Sequence, residues 1–152
     1  MTAFIPSLRI AVLHHQPAQE PVDPVALQIE EVLKGKGHDA FLLGVSDRVS
    51  GLLEKLEQSG SDLVFNVRET FADDYRMEVN VAALMEMAHI PFTGSGTAGL
   101  LLAQDKILTK QLLQFHQVMA ARFAIIDGQT FSTHGDLSFP LIVKPARSDA
   151  SI

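Results

Sequence analysis

Few residue types in this chain can do chemistry, and their positions narrow what that chemistry is. The sequence has no Cys, which excludes thiolate nucleophiles, thiolate metal sites and a disulfide framework. Lys106 and Lys110 stand one helical turn apart; they could reach a phosphate, although paired helix lysines are usually a solvated face. Lys144 ends the apolar run Leu141, Ile142, Val143 and is followed by Pro145. A cation at the end of a buried strand costs desolvation unless an anion meets it, so Lys144 is a candidate anion ligand. His14 and His15 end the first apolar run, where an imidazole could bind substrate or move a proton. Adjacent strand residues point to opposite faces and cannot grip one metal ion, and no third ligand stands at a suitable spacing. A structural or merely exposed role is the alternative for both. Glu69, Asp73 and Asp74 form an acidic stretch that could position an amine or a metal, or be solvated loop charge. The run Thr93-Gly94-Ser95-Gly96-Thr97 precedes a helix and could offer backbone N–H groups to an anion. It lacks both the GxGxxG spacing and the phosphate-loop lysine, and a tight turn needing positive φ at glycine is the favoured reading. Ser151 by itself indicates nothing.

The elements that must position these residues follow from periodicity. Residues 8–13 (LRIAVL) are continuously apolar, as in a strand buried on both faces. Asp23-Pro24 supplies an N-cap and a first-turn proline, Val25, Ile29, Val32 and Leu33 form one helical face, and Gly35 and Gly37 end it. A strand at 40–43, a helix marked by Leu52, Leu53 and Leu56, and a strand at 62–66 complete β-α-β-α-β, the pattern of a parallel sheet with right-handed crossovers. Residues 67–76 read as a loop, 77–88 as a well-buried helix, and 90–93 as a short strand. Beyond it, 105–116 is helical, 121–126 a strand, 127–138 a turn-rich connection and 140–144 a final strand. In an open parallel sheet ligands bind at the carboxyl ends of the strands. That rule selects 14–20, 68–74, 94–97 and 147–151.

Composition bounds the class. Of 152 residues, 47% are apolar and 20% charged, enough to fill a core of ordinary globular type. The net charge of -6 argues against a general nucleic-acid binder, which needs clustered cations. Residues 1–6 lack the features of a signal peptide, and the longest apolar run, 98–103, is far too short to span a bilayer. A soluble, cytoplasmic protein without nucleic-acid or membrane partners is expected. The small, polar ending at 147–152 and a last strand without a covering helix imply a natural chain that continues past Ile152.

Taken in order, the segments resemble the D-alanine–D-alanine ligase-like family of the ATP-grasp superfamily. Four stretches bear the likeness: RIAVL with the helix beginning near Asp23, DLVFN, HIPFTGSGTAGLLLAQDKILTKQLLQFHQV, and FPLIVKPARSDASI. The third is the most specific, because it joins I-P-F-T-G-S to D-K-x-x-T-K at the family's spacing. The likeness covers essentially the whole chain but only the amino-terminal portion of the family's length. It implies a Rossmann-like α/β pre-ATP-grasp domain over residues 1–103 and the start of a central ATP-grasp domain over 104–152.

The resemblance also implies a mechanism. ATP converts a carboxylate to an acyl phosphate, and an amine displaces the phosphate to give an amide and ADP, which needs cations around the phosphoryl group and aligned reactants. By resemblance Lys106 and Lys144 match the two lysines that contact ATP phosphates, and Ser151 matches part of the small-residue loop over them. Glu20 takes the role of the family's first-loop glutamate if the alignment shifts by one residue. His14 and Glu69 fall on the substrate side. The family's Mg²⁺ ligands lie beyond Ile152, so no metal ligand is carried onto this chain. Departures cluster on the substrate side: His14-His15 replaces a Gly-Gly pair, 67–74 replaces a glycine-rich loop containing His-Gly, and Ala150 replaces a serine. The expectation is an ATP-dependent carboxylate–amine ligase with a divergent amino acid or peptide substrate, inactive as this fragment and homodimeric by resemblance. A ligase-like domain that binds nucleotide or amino acid without catalysis is the alternative. A phosphoacceptor receiver domain is disfavoured, because it needs acidic residues where His14-His15 and Asn66 stand.

Overall fold

The continuous apolar run at the start of the chain becomes β1, Arg9–His15, the middle strand of a parallel sheet of order β2-β1-β3. The computed structural model describes residues 6–16, 21–128, 130–134 and 137–147. β1 pairs with β2, Asp39–Val45, in the register Ile10 to Ala40. On its other side it pairs with β3, Leu63–Asn66, in the register Ile10 to Leu63. Flanked on both edges, Ile10 to Leu13 are all buried, which is why the run shows no polar alternation.

Helix α1, Pro24–Gly35, follows β1. Asp23 caps it by accepting from the Val25 N–H at 2.8 Å, and Pro24 sits in the first turn, where a missing donor costs nothing. Gly37 takes φ +91 just beyond the helix end, a conformation that favours glycine. Helix α2, Val49–Gln58, links β2 to β3 and buries Leu52 and Leu56. Helix α3, Glu78–Met87, buries Val79, Val81, Ala82 and Met85, the well-buried helix expected of an almost uniformly apolar stretch. Ala11, Leu13, Val45, Leu52, Leu56, Val64, Val81 and Met85 form one core cluster. Ile10 and Val12 point to the opposite face by strand alternation, where α1 packs against β1 and β2.

The short strand expected at 90–93 is reduced to one parallel bridge, Val64 to Phe92. The Val64 N–H donates to Pro91 O at 2.8 Å and Thr93 N–H to Val64 O at 2.9 Å. Helix α4, Thr97–Gln104, and helix α5, Lys106–Phe115, come next. β4, Phe123–Asp127, then pairs antiparallel with β5, Thr130–His134. The second strand of that hairpin lies inside the stretch expected to be only a connection. Gly128, the first residue past β4, takes φ +58, the left-handed conformation that a tight hairpin loop requires and glycine supplies.

The strand expected at 140–144 is not formed; residues 141–145 have no regular secondary structure. Ile142 and Val143 are 82% and 84% exposed. An apolar run becomes a strand only where a neighbouring backbone accepts its donors and acceptors, and none of the described strands pairs with it. The chain divides into two compact units, Met1–Thr97 and Ala98–Ile152. No helix among the described residues is long and apolar enough to cross a membrane.

Candidate functional site

The carboxyl ends of β1, β2 and β3 are tied together by one carboxylate. Asp47, in the loop after β2, contacts His15 Nε2 at 3.1 Å, accepts from the Ala72 N–H at 2.9 Å and pairs with the Arg68 guanidinium. Burial pushes Asp47 upward, but the Ala72 N–H, His15 and Arg68 outweigh it and hold the carboxyl below its ordinary value. Arg68 follows β3 by two residues, and its side chain is fully buried. Its Nε donates to Thr70 O at 2.8 Å and one terminal nitrogen to Val45 O at 3.1 Å and Ser46 O at 3.4 Å. The same guanidinium lies over the Phe71 ring, 4.8 Å from its centre. Burial pulls Arg68 down from its ordinary value and Asp47 pushes it up; an arginine remains cationic after such a shift.

The expected substrate-side residues occupy this edge in different ways. His14 is buried, its Nδ1 3.0 Å from His15 O, and Gly44 on the neighbouring strand makes room: a Cβ there would stand 3.2 Å from His14 Cε1. His14 and His15 do point apart, one into the protein and one to Asp47. Glu69 is exposed, between Arg68, whose N–H donates to Asn66 Oδ1 at 3.1 Å, and Thr70, whose carbonyl Arg68 holds. Asp73 is exposed at φ +57, whereas Asp74 accepts from the Arg76 N–H at 2.9 Å and pairs with its guanidinium at 2.6 Å. Asp74 is thereby a cap for the 3-10 turn Tyr75–Met77. Glu20 lies outside the described residues. Sequence reasoning singled out neither Asp47 nor Arg68. The signal available was an arginine placed two residues past an apolar strand, where a buried cation needs a partner.

The Thr93–Thr97 turn is filled from within. Gly94 takes φ +103, and the Thr97 N–H and hydroxyl donate to the Glu86 carboxylate at 3.1 and 2.6 Å. The α4 amino terminus already holds an anion, the chain's own Glu86, which agrees with reading the loop as a structural turn.

In the unit Ala98–Ile152, α5 begins with Asp105, whose carboxylate accepts from the Ile107 and Leu108 N–H groups at 3.1 and 3.0 Å. The Leu108 N–H is the main cause that holds Asp105 below its ordinary value, with Arg147 adding to it. Arg147 Nε donates to Asp105 Oδ2 at 3.0 Å, and the Lys106 N–H donates to Ala146 O at 3.0 Å. The two lysine motifs, separate in sequence, are therefore stitched together at one junction. Lys106 is half-buried; Lys144 is exposed, so the desolvation argument made for it on a buried strand does not apply. Lys110 turns to its own chain, donating to Ala121 O at 2.8 Å over the Phe123 ring. Ser151 lies outside the described residues. Among the described residues no group of three or more His, Asp or Glu side chains could hold a metal ion.

A three-stranded parallel α/β sheet with loops along its carboxyl edge, followed by a unit that contains α5 with its Asp-Lys start, defines the class of fold. No family model matches the chain. It is 36% identical over 149 residues to an uncharacterized protein, y4sG, of Sinorhizobium fredii, covering 90% of this chain and 43% of that one. Over 122 residues it is 36% identical to a D-alanine–D-alanine ligase of Cupriavidus taiwanensis, 79% of this chain and 36% of the relative. Among solved structures, D-alanine–D-alanine ligase from Bacillus anthracis complexed with ATP matches 89% of this chain and 42% of its own, with TM-score 0.58 at 17% identity. In sequence the chain is similar to the amino-terminal portion of D-alanine–D-alanine ligases, and in fold to the same portion of a solved one. It spans about two fifths of the length of these relatives.

Proposed function

We propose that this chain is the amino-terminal part of an ATP-dependent, ADP-forming carboxylate–amine ligase whose substrate differs from that of the D-alanine–D-alanine ligases. The observation that supports this most is the junction at the start of α5, where Lys106 N–H meets Ala146 O and Arg147 meets Asp105. It joins the segments that carry Lys106 and Lys144; the α5 start itself is held by the Asp105 carboxylate, so a polyphosphate would be met by the two lysine side chains and not by the helix end. ATP would supply the phosphoryl group that activates the carboxylate as an acyl phosphate, with Mg²⁺ held by residues outside this chain. Lys106 and Lys144 would offset phosphate charge, and Ser151 would belong to the loop over it. His14, Glu20 and Glu69 would serve the amino acid or peptide substrates at the sheet edge. In this reading residues 1–103 form the pre-ATP-grasp domain, 104–152 begin the ATP-grasp domain, the isolated fragment does not turn over, and the protein works as a soluble cytoplasmic homodimer.

The divergent substrate rests on the sheet edge: a buried histidine and an arginine-centred loop stand where the family carries glycines. The test is ADP release by the full-length protein given Mg-ATP and pools of amino acids or dipeptides. Lys144→Ala is expected to weaken ATP binding about tenfold or more, the size of a lost charge-assisted contact. Parent-like ATP affinity in that variant sinks the phosphate assignment. Intact nucleotide binding without substrate-dependent ADP release would favour a non-catalytic binding domain.

A further inference from the structure

We propose that Arg68 and Asp47 are positioning residues for the substrate-side loop, acting through its backbone to present Glu69 at the carboxyl edge of the sheet. The inference rests on the substrate role given above to that edge. Glu69 is flanked on both sides by anchored backbone: Arg68 N–H on Asn66 Oδ1, and Thr70 O on Arg68 Nε. Arg68 is itself fixed by the Val45 and Ser46 carbonyls of the neighbouring loop and by Asp47. Asp47 reaches past it to the Ala72 N–H at 2.9 Å, where Ala72 and Asp73 turn through φ +53 and +57. Two successive non-glycine residues in the left-handed region persist only where surrounding contacts over-determine them. Here the turn closes on itself through two backbone hydrogen bonds between Phe71 and Asp74, at 3.2 and 3.1 Å, and Asp47 from the loop after β2 adds the hold that ties it to the sheet edge.

The arrangement also explains why lysine cannot replace Arg68. One planar fork serves Thr70, Val45, Ser46 and Asp47 together; an ammonium on a flexible stem cannot face all four. The loop is rigid at its base while Glu69 stays exposed, the division between scaffold and ligand-facing group that a binding loop requires.

The test uses the full chain labelled with ¹⁵N, titrated with D-alanine and then with a pool of L-amino acids, beside Asp47→Ala, Arg68→Lys and Glu69→Gln. Alanine is chosen at 47 because asparagine would still offer Oδ1 to the Ala72 N–H. In the parent, the Glu69, Thr70 and Ala72 amides are expected to shift on titration. Asp47→Ala and Arg68→Lys should lose exchange protection at Ala72 and bind about tenfold more weakly, the effect of one lost charge-assisted bond. Glu69→Gln should keep that protection and lose binding. Protected Val12 and Val64 amides report an intact sheet, and if Arg68→Lys unfolds, Asp47→Ala, at the more exposed partner of the pair, decides the matter alone. Parent-like affinity in Asp47→Ala despite lost protection at Ala72 overturns the inference. So does unchanged protection, or a parent loop that responds to none of these ligands. ATP binding, followed separately, should be unchanged in Asp47→Ala; its absence from the full-length parent would sink the ligase reading and leave the loop result standing.

Discussion

Gly96 has no side chain, and the space its Cβ would need is taken by Glu86 Oε1. That oxygen is not free to move, because the same carboxylate holds the Thr97 N–H and hydroxyl at the start of α4. A methyl group at 96 must therefore break the cap or displace α4. Gly96→Ala is expected to destabilise the protein by roughly 1–3 kcal/mol, the usual cost of overpacking, read as a lowered urea midpoint at constant slope. Glu86→Ala relieves the clash, so the double variant Glu86→Ala/Gly96→Ala should lose less than the sum of the two single changes. Strict additivity would mean that the two residues do not share the space. At this scale, much of the turn was legible in the sequence and its occupant was not. A glycine pair before a helix announces a turn, but the acid that fills it comes from another helix ten residues before Gly96. Asp47 escaped for the same reason: nothing local to Asp47 says that an arginine from another loop will need it.

Elements were legible where local signals agreed with packing. Asp23-Pro24 starts α1 and Asp105 starts α5, both as the capping chemistry requires. The failures share one cause. The run at 140–144 has the composition of a strand but no described partner, and β5 has the partner but a polar composition, TFSTH, that hid it. Strand identity is a property of pairs, so single segments betray it poorly. The Asp105 cap gives a prediction that separates local from tertiary roles. Asp105→Ala removes both the helix cap and the acceptor of Arg147. Loss of the cap should cost about 1 kcal/mol, whereas the exposed pair with Arg147 contributes little. Asp105→Asn, which still offers a cap oxygen, should recover most of the stability in thermal melts. Equal losses in the two variants would instead assign the stabilisation to the ion pair.

At the scale of the molecule, buried residues are distributed unevenly between the two units. Every fully buried side chain among the described residues lies in Met1–Thr97, from Ile10 to Met85. In Ala98–Ile152 neither α4 nor α5 buries a residue fully. There Leu108, Leu112 and Phe115, the face that periodicity marks as apolar, are 44%, 37% and 79% exposed. Burial of apolar surface is the main favourable contribution to folding, so the two units should not share one stability. Native-state hydrogen exchange of this chain should find the amides of β1 opening only near the global unfolding free energy. Those of α5 should open with a free energy lower by at least about 1–2 kcal/mol, through local unfolding of a unit with little buried contact. The Lys110 and Gln111 amides serve as reporters, because they lie in the middle of the ten-residue helix and not at a fraying end. If they exchange as slowly as Val12 at every denaturant concentration, the two units unfold together and the exposed apolar face of α5 is no measure of its stability. If α5 is the weaker element and ATP binds at Lys106 and Lys144 as proposed, ATP should slow its exchange in the full-length protein while leaving β1 unchanged, since a ligand stabilises the state that binds it.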